Sequence, residues 1–189
     1  MFNTKALLIT ISLFVSLLFG VNANAKALKS IRVGPSIGSQ VPEIMAIDQQ
    51  NQPVKLADFY GEKGVVVVFF RSADWCPFCK RHLVELNQIV PQIEQAGYKM
   101  VGISYDSVET LNTFSKSMNI AFPLLADQKA KTVRRFKVLN KDYKLGDKHY
   151  GIPYPGVMVI SPDGELKDKY FYKGYKKRIT AESLLEKLN

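Results

Sequence analysis

Two cysteines are the residues of this chain best suited to chemistry. Cys76 and Cys79 are the only cysteines in the sequence, and they stand as Cys-Pro-Phe-Cys. A disulfide across two intervening residues closes a very short loop and adds little stability, because disulfide stabilisation grows with loop length. The spacing therefore predicts thiol–disulfide exchange rather than a structural bridge. In such exchange one thiolate captures a partner's sulfur, and the second thiol releases it.

The segments around the pair are predicted to be a strand and a helix. Residues 65–70 are a continuous run of valine and phenylalanine, which is typical of a strand buried on both faces. After the pair, apolar residues recur along one helical face, and Pro77 suits the first turn because its missing N–H is not needed there. Cys76 then lies at the helix N-terminus, where unpaired N–H groups and the helix dipole favour a thiolate. We therefore expect Cys76 to be the more acidic, attacking thiol and Cys79 to be the resolving thiol.

The rest of the chain alternates between strand-like and helix-like segments. This order predicts an α/β fold with a mixed central sheet flanked by helices and an N-terminal β-hairpin extension. The predicted strands are 43–47, 53–56, 99–104, 122–126, 157–160 and 166–172, and the predicted helices are 107–118, 129–137 and 181–188.

The N-terminus has the pattern of an export signal. Lys5 is the only charge in residues 1–25, an apolar run follows it, and Ala23-Asn24-Ala25 forms an A-x-A cleavage site. We expect residues 1–25 to be a signal peptide, 26–40 a loose arm and 41–189 one domain. The protein is therefore predicted to be exported, to the periplasm or an equivalent space. An uncleaved membrane anchor is the alternative, but the apolar run is short for a bilayer span.

The chain is basic, with a formal net charge of +9. Its Lys and Arg residues concentrate in the segment 129–148, which predicts steering of an acidic partner protein. The sequence contains no nucleic-acid-binding motif and no glycine-rich phosphate loop, so neither a nucleic acid partner nor a cofactor is expected.

The active-site segment FFRSADWCPFC, residues 69–79, resembles that of the thioredoxin-like redoxins grouped with the alkyl hydroperoxide reductase/thiol-specific antioxidant (AhpC/TSA) family. The resemblance extends over nearly all of the chain after the signal peptide. It implies a thioredoxin-like fold, a redox-active centre and protein or small-molecule thiols and disulfides as partners. An exported reductant of this kind would also need a membrane electron-relay protein. The supporting segments are 40–43, 54–59, 122–127 and 155–160.

The resemblance also implies roles for residues near the pair. Pro155 corresponds to the cis-proline that faces the redox pair and helps to hold the partner's chain. Trp75 resembles the exposed aromatic residue by which such proteins touch partners, although a packing role is the alternative. Arg71 and Asp74 are expected to tune the Cys76 thiolate in opposite directions, since a guanidinium favours it and a carboxylate opposes it.

Departures from the family pattern favour disulfide exchange over peroxide reduction. Ala73 stands where peroxiredoxins have a threonine that hydrogen-bonds peroxide, and Phe69 stands at their proline position. An arginine near the strand after Pro155 is not evident either. Phe70 occupies the position of the buried acid of thioredoxins, so the proton acceptor for Cys79 is left open. A thiol peroxidase is the first alternative function.

Metal binding is the second alternative. Cys76, Cys79 and His82 read C-x-x-C-x-x-H, and thiolates with imidazole suit copper or zinc. His149 is the only other histidine. His82 is more typical of a solvated helix residue, so no metal site is predicted.

Overall fold

The computed structural model describes residues 29–189. The signal peptide predicted at 1–25 lies outside these residues. The described strands are β1 Ala46–Ile47, β2 Pro53–Val54, β3 Gly64–Phe69, β4 Tyr98–Ser104, β5 Leu124–Ala126, β6 Gly156–Ile160 and β7 Leu166–Phe171. The described α-helices are α1 Pro77–Asn87, α2 Val90–Gln95, α3 Val108–Met118, α4 Lys131–Arg135 and α5 Ala181–Leu188, and a 3₁₀ turn spans Leu56–Phe59.

The strands of residues 29–189 form one mixed sheet, which confirms the predicted α/β architecture. Their order across the sheet is β2-β1-β5-β4-β3-β6-β7. Strand β4 runs parallel to β3 and β5, whereas β6 is antiparallel to both β3 and β7. Strand β3 therefore lies in the interior of the sheet, and the chain leads from its C-terminal end into the cysteine segment.

Strand β3 is packed on both faces, which explains its uninterrupted apolar sequence. On one face Val66 and Val68 belong to the same cluster as Leu83 of α1. On the other face Val67 packs in a cluster with Phe136, directly after α4. Full burial of one such aliphatic side chain contributes about 1.5–3 kcal/mol. This packing fixes the start of α1 against the end of β3.

The N-terminal hairpin is present but shorter than predicted. Strands β1 and β2 have two residues each, and β1 also pairs with β5 through Ile47 and Ala126. The predicted strand end at Leu56 is instead the start of the 3₁₀ turn. The Asp58 carboxylate accepts the Lys55 N–H at 2.7 Å and so caps this turn.

The described part of the segment predicted as a loose arm, residues 29–40, contacts the sheet at both of its ends. Ser30 pairs with Tyr172, and Gln40 pairs with Glu165, both in antiparallel bridges. These contacts satisfy polar backbone groups beside β7 that an edge strand otherwise leaves unpaired. The described part of the arm is thus fastened to the sheet edge.

Within residues 29–189 no helix combines the length and the apolar character that crossing a membrane requires.

Candidate active site

Cys76 is the N-terminal capping residue of α1, and Pro77 occupies the first helical turn, as the sequence predicts. The Cys76 carbonyl accepts the N–H groups of Cys79 and Lys80 at 3.0 and 3.1 Å. The two cysteine sulfurs lie 2.6 Å apart. Because an S–S bond is about 2.05 Å long, a disulfide between them can close with little movement. The fold therefore brings the predicted pair together.

Both thiols are enclosed, each with 1% of its surface exposed, and a hydrogen bond between them dominates their protonation. This bond lowers the pKa of Cys79 to about 6 and raises the pKa of Cys76, which burial raises further. The backbone N–H of Arg71 also reaches the Cys79 sulfur, at 3.4 Å. The donors therefore converge on the sulfur inside the first turn, whereas the sequence predicts the capping residue, Cys76, as the more acidic thiol.

Arg178 is a site residue that the sequence does not reveal. Its Nη2 lies 3.8 Å from the Cys79 sulfur, although the two residues are 99 positions apart. The sequence shows only a basic run before α5, with no spacing that points to the cysteines. No arginine is evident near Pro155, but the pair still has positive charge beside it, because Arg178 and Arg71 supply that charge from other segments.

Arg71 is buried, with 6% exposed, and aromatic side chains hold its guanidinium group. The guanidinium carbon lies 4.8 Å from the centre of the Trp75 ring and 4.5 Å from that of Tyr175. Its Nη2 donates to the Tyr143 hydroxyl at 3.1 Å. Cation–π contacts of this kind fix both the cation and the rings. The positive charge of Arg71 also lowers the pKa of Cys76, which supports its predicted tuning role.

Trp75 is half-buried and packed on two sides. Its Nε1 donates to the Tyr105 hydroxyl at 2.9 Å, and its ring lies 4.2 Å from the ring of His149. Much of the Trp75 side chain is therefore packed inside the site, as expected if its role is packing rather than contact with a partner. Tyr143 and His149 both come from the loop between α4 and β6, so this loop forms one wall of the site.

Asp106, which the sequence analysis does not single out, holds the segment before Cys76. This buried carboxylate accepts the Ala73 N–H at 2.7 Å and the Ser104 hydroxyl at 3.0 Å. Burial raises the pKa of Asp106, and these hydrogen bonds act against that rise. Asp74 is exposed, and its backbone carbonyl accepts a hydrogen bond from Lys80 at 2.7 Å.

Pro155 lies at the same sheet edge as the cysteines. It is buried and precedes Gly156, which pairs with Phe69 at the end of β3. The sequence leaves the isomer of the bond before Pro155 open, and all peptide bonds within residues 29–189 are trans. Pro155 lies beside the end of β3, near the cysteine segment.

The histidines do not form a metal site with the cysteines. His82 is buried rather than solvated, with 5% exposed, and its Nε2 lies 2.9 Å from the carbonyl oxygen of Ile179. His149 stacks on Trp75 instead. Across residues 29–189 no group of three or more His, Cys, Asp or Glu side chains is arranged to hold a metal ion.

Comparison with known proteins assigns the chain to a family. A model of the AhpC/TSA family matches residues 37–169. The chain belongs to the AhpC/TSA family. Within it, 1-Cys peroxiredoxin B of Oryza sativa subsp. japonica is 26% identical over 159 residues, which cover 80% of this chain and 70% of that protein. The thiol-disulfide oxidoreductase ResA of Bacillus thuringiensis subsp. konkukian is 24% identical over 153 residues, which cover 80% and 78%.

Similar solved structures confirm the thioredoxin-like fold. Peroxidoxin BcpB from Mycobacterium tuberculosis has a TM-score of 0.69 at 20% identity, over 83% of this chain and 94% of that chain.

The chain spans 65% to 70% of the length of the plant peroxiredoxins that it matches. The family assignment makes the protein an oxidoreductase of the redoxin type.

Proposed function

We propose that this protein is a thiol–disulfide oxidoreductase in which Cys76 and Cys79 alternate between dithiol and disulfide. The observation that carries the proposal is the 2.6 Å approach of the two sulfurs at the start of α1. A pair at this distance can pass between the reduced and oxidised states without unfolding the helix. Similarity to ResA supports the same reaction class.

The hydrogen bond between the thiols supports a two-step exchange. In the reduced pair the two sulfurs share one proton, and we assign the thiolate to Cys79 because the Arg71 N–H and the Arg178 guanidinium also reach its sulfur. Transfer of this proton to Cys79 leaves a Cys76 thiolate, which attacks one sulfur of the partner's disulfide. The other partner sulfur leaves as a thiolate and takes the proton from Cys79. Cys79 then attacks the Cys76 sulfur, closes the protein disulfide and releases the second partner thiolate.

The surroundings of each sulfur support this division of roles. Cys76 lies between the exposed residues Asp74 and Pro77, at the open end of the helix. Cys79 lies one turn inside, against the backbone of Arg71 and the guanidinium of Arg178. Both thiols are enclosed, but exposed residues flank Cys76, so a small local opening would give a partner's sulfur access to it, whereas Cys79 is placed to attack within the chain.

A thiol peroxidase is the second candidate function. Arg71 and Arg178 support it, because a guanidinium beside a thiolate can also stabilise the charge that develops on a peroxide oxygen. Several relatives are named peroxiredoxins. Against it, Ala73 has no hydroxyl to offer, and its N–H already donates to Asp106. Loss of one such donor can cost about a hundredfold in rate.

Parallel rate measurements separate the two candidates. Reduced protein is mixed in stopped flow with oxidised insulin or with hydrogen peroxide, and oxidation is followed through Trp75, the single tryptophan. We expect the rate constant for insulin disulfides to exceed that for peroxide by about a hundredfold or more. The Cys76→Ser variant should lose both reactions, and Cys79→Ser should stop at the mixed disulfide. A faster reaction with peroxide, regenerated through Cys79, would replace the first candidate by the second.

The proposal includes a location and a class of partner. The signal-like residues 1–25 support export to the periplasm or an equivalent space. The basic segment 129–148 includes the loop that contributes Tyr143 to the site, so it supports steering of acidic protein partners toward the pair. If the protein acts as a reductant there, a membrane electron-relay protein would have to supply its electrons.

A further inference from the structure

Two arginines bring positive charge to the cysteine pair, and within residues 29–189 no carboxylate pairs with either of them. Arg178 reaches Cys79 with Nη2 and donates from Nη1 to the backbone carbonyl of Lys177 at 2.8 Å. Arg71 donates from Nη2 to a tyrosine hydroxyl, and its buried Nε has no hydrogen-bond partner. The described part of the chain contains a single ion pair, Lys167–Glu165, and it involves neither arginine.

Positive charge withdrawn from water without a counter-charge is costly, and here Arg71 is buried and Arg178 is half-buried. Burial lowers the pKa of Arg178, and the charge of Arg71 lowers it further, whereas Cys79 and Cys76 raise it. A buried charge normally requires an opposite charge or full hydrogen bonding to offset its lost hydration. Among residues 29–189 no carboxylate forms an ion pair with Arg178, whereas the Cys79 sulfur lies 3.8 Å from its Nη2.

The counter-charge exists in only one redox state. The reduced pair carries one thiolate, beside the second thiol, the backbone N–H of Arg71 and the guanidinium of Arg178. In the disulfide both sulfurs are neutral, so Arg178 loses the anion that it contacts, and the charge of Arg71 loses the thiolate that it favours from a greater distance. Stabilising the thiolate therefore stabilises the reduced form relative to the disulfide, which makes a dithiol pair more oxidising.

We propose that Arg71 and Arg178 bias this site toward its reduced form, so that the disulfide form oxidises the paired thiols of polypeptide substrates. This inference rests on the proposed thiol–disulfide exchange and assigns its direction. In each turnover a substrate dithiol gives up two electrons and two protons and becomes a disulfide. The Cys76–Cys79 bond breaks, one of those protons returns the pair to one thiol and one thiolate, and the other proton enters the solvent.

The test is the equilibrium of the pair with glutathione. Wild-type protein is incubated at neutral pH with fixed ratios of reduced to oxidised glutathione, quenched with acid and alkylated. The dithiol and disulfide fractions are then counted by mass, with a thioredoxin treated in parallel. We expect the constant for forming the protein disulfide to be at least a hundredfold smaller than that of the thioredoxin.

Variants assign the bias to the guanidinium group. Arg178→Gln should raise the constant for disulfide formation about tenfold, which corresponds to about 30 mV for this two-electron couple. Arg178→Lys, which keeps the charge without the planar fork, should raise it less. Arg81→Gln is the matched control, because Arg81 is exposed on α1 over the Phe78 ring, and it should leave the constant unchanged.

The outcomes distinguish this inference from the function on which it rests. A wild-type constant equal to that of thioredoxin, or an unchanged or smaller constant for Arg178→Gln, overturns the oxidising direction and leaves dithiol–disulfide exchange in place. Failure of the wild-type pair to form a disulfide at any glutathione ratio overturns both.

Discussion

The burial of His82 leads to a quantitative prediction about stability and pH. The imidazole is 5% exposed, and its Nε2 lies 2.9 Å from the carbonyl oxygen of Ile179, which a neutral ring can satisfy by donating. Burial, followed by the nearby charge of Arg178, lowers the pKa of His82 to about 4. The ring is therefore neutral in the folded protein over most of the physiological range.

The magnitude follows from the difference between the folded and unfolded states. An exposed histidine in the unfolded chain has a pKa of about 6.5. Because the folded value is lower, the unfolded chain binds the proton first as the pH falls, and protonation favours unfolding. The stability that the neutral ring contributes is complete above about pH 6.5 and is lost as the pH falls from about 6.5 to 4. The free energy of unfolding lost by pH 4 is about 3 kcal/mol.

The assay compares wild type with His82→Gln by urea unfolding, followed by far-ultraviolet circular dichroism. The variant loses packing and one hydrogen bond, so it should be less stable at neutral pH. The informative quantity is the change in the wild-type advantage, which should shrink by about 3 kcal/mol from neutral pH to about pH 4. His149→Gln is the matched control, since His149 is only half-buried, and it should show a much smaller change. A wild-type advantage over His82→Gln that stays constant across this range would refute the reasoning.

Three further predictions concern Asp106, which holds the segment before Cys76, and the two thiols. Asp106→Ala should cost about 3 kcal/mol in chemical unfolding, because it leaves two buried donors unpaired. Asp48→Ala, which removes two exposed hydrogen bonds, should cost less than about 1 kcal/mol, and equal losses would contradict the role of burial. Alkylation of the reduced pair by iodoacetamide should accelerate through a pH of about 6, and a midpoint near that of a free thiol, about 8.5, would contradict the shared thiolate. Cys79→Ser should accumulate mixed disulfides with glutathione and Cys76→Ser should form few, whereas equal trapping by both variants would argue against separate attacking and resolving thiols.

The local pattern of the sequence predicts the elements that carry the site. The run at residues 65–70 is apolar without alternation because β3 is covered on both faces, so its burial could be predicted from residue types alone. Helix α1 could be predicted because Pro77 and the spacing of its apolar residues are local features. The strand lengths of the hairpin could not be predicted in this way. The Asp58 carboxylate accepts the Lys55 N–H, and the chain enters a 3₁₀ turn there instead of continuing the strand.

The sequence by itself determined the family and the fold class and predicted the reactive pair, because these depend on residue types at short, fixed spacing. Tertiary structure alone decided the electrostatics of that pair. Arg178 reaches Cys79 only because the chain after β7 folds back over the start of α1. Tertiary structure likewise decides which sulfur the Arg71 N–H and the Arg178 guanidinium reach, and that sulfur is Cys79. Charge interactions depend on distances through space and on burial, and neither is encoded in the local spacing of residues.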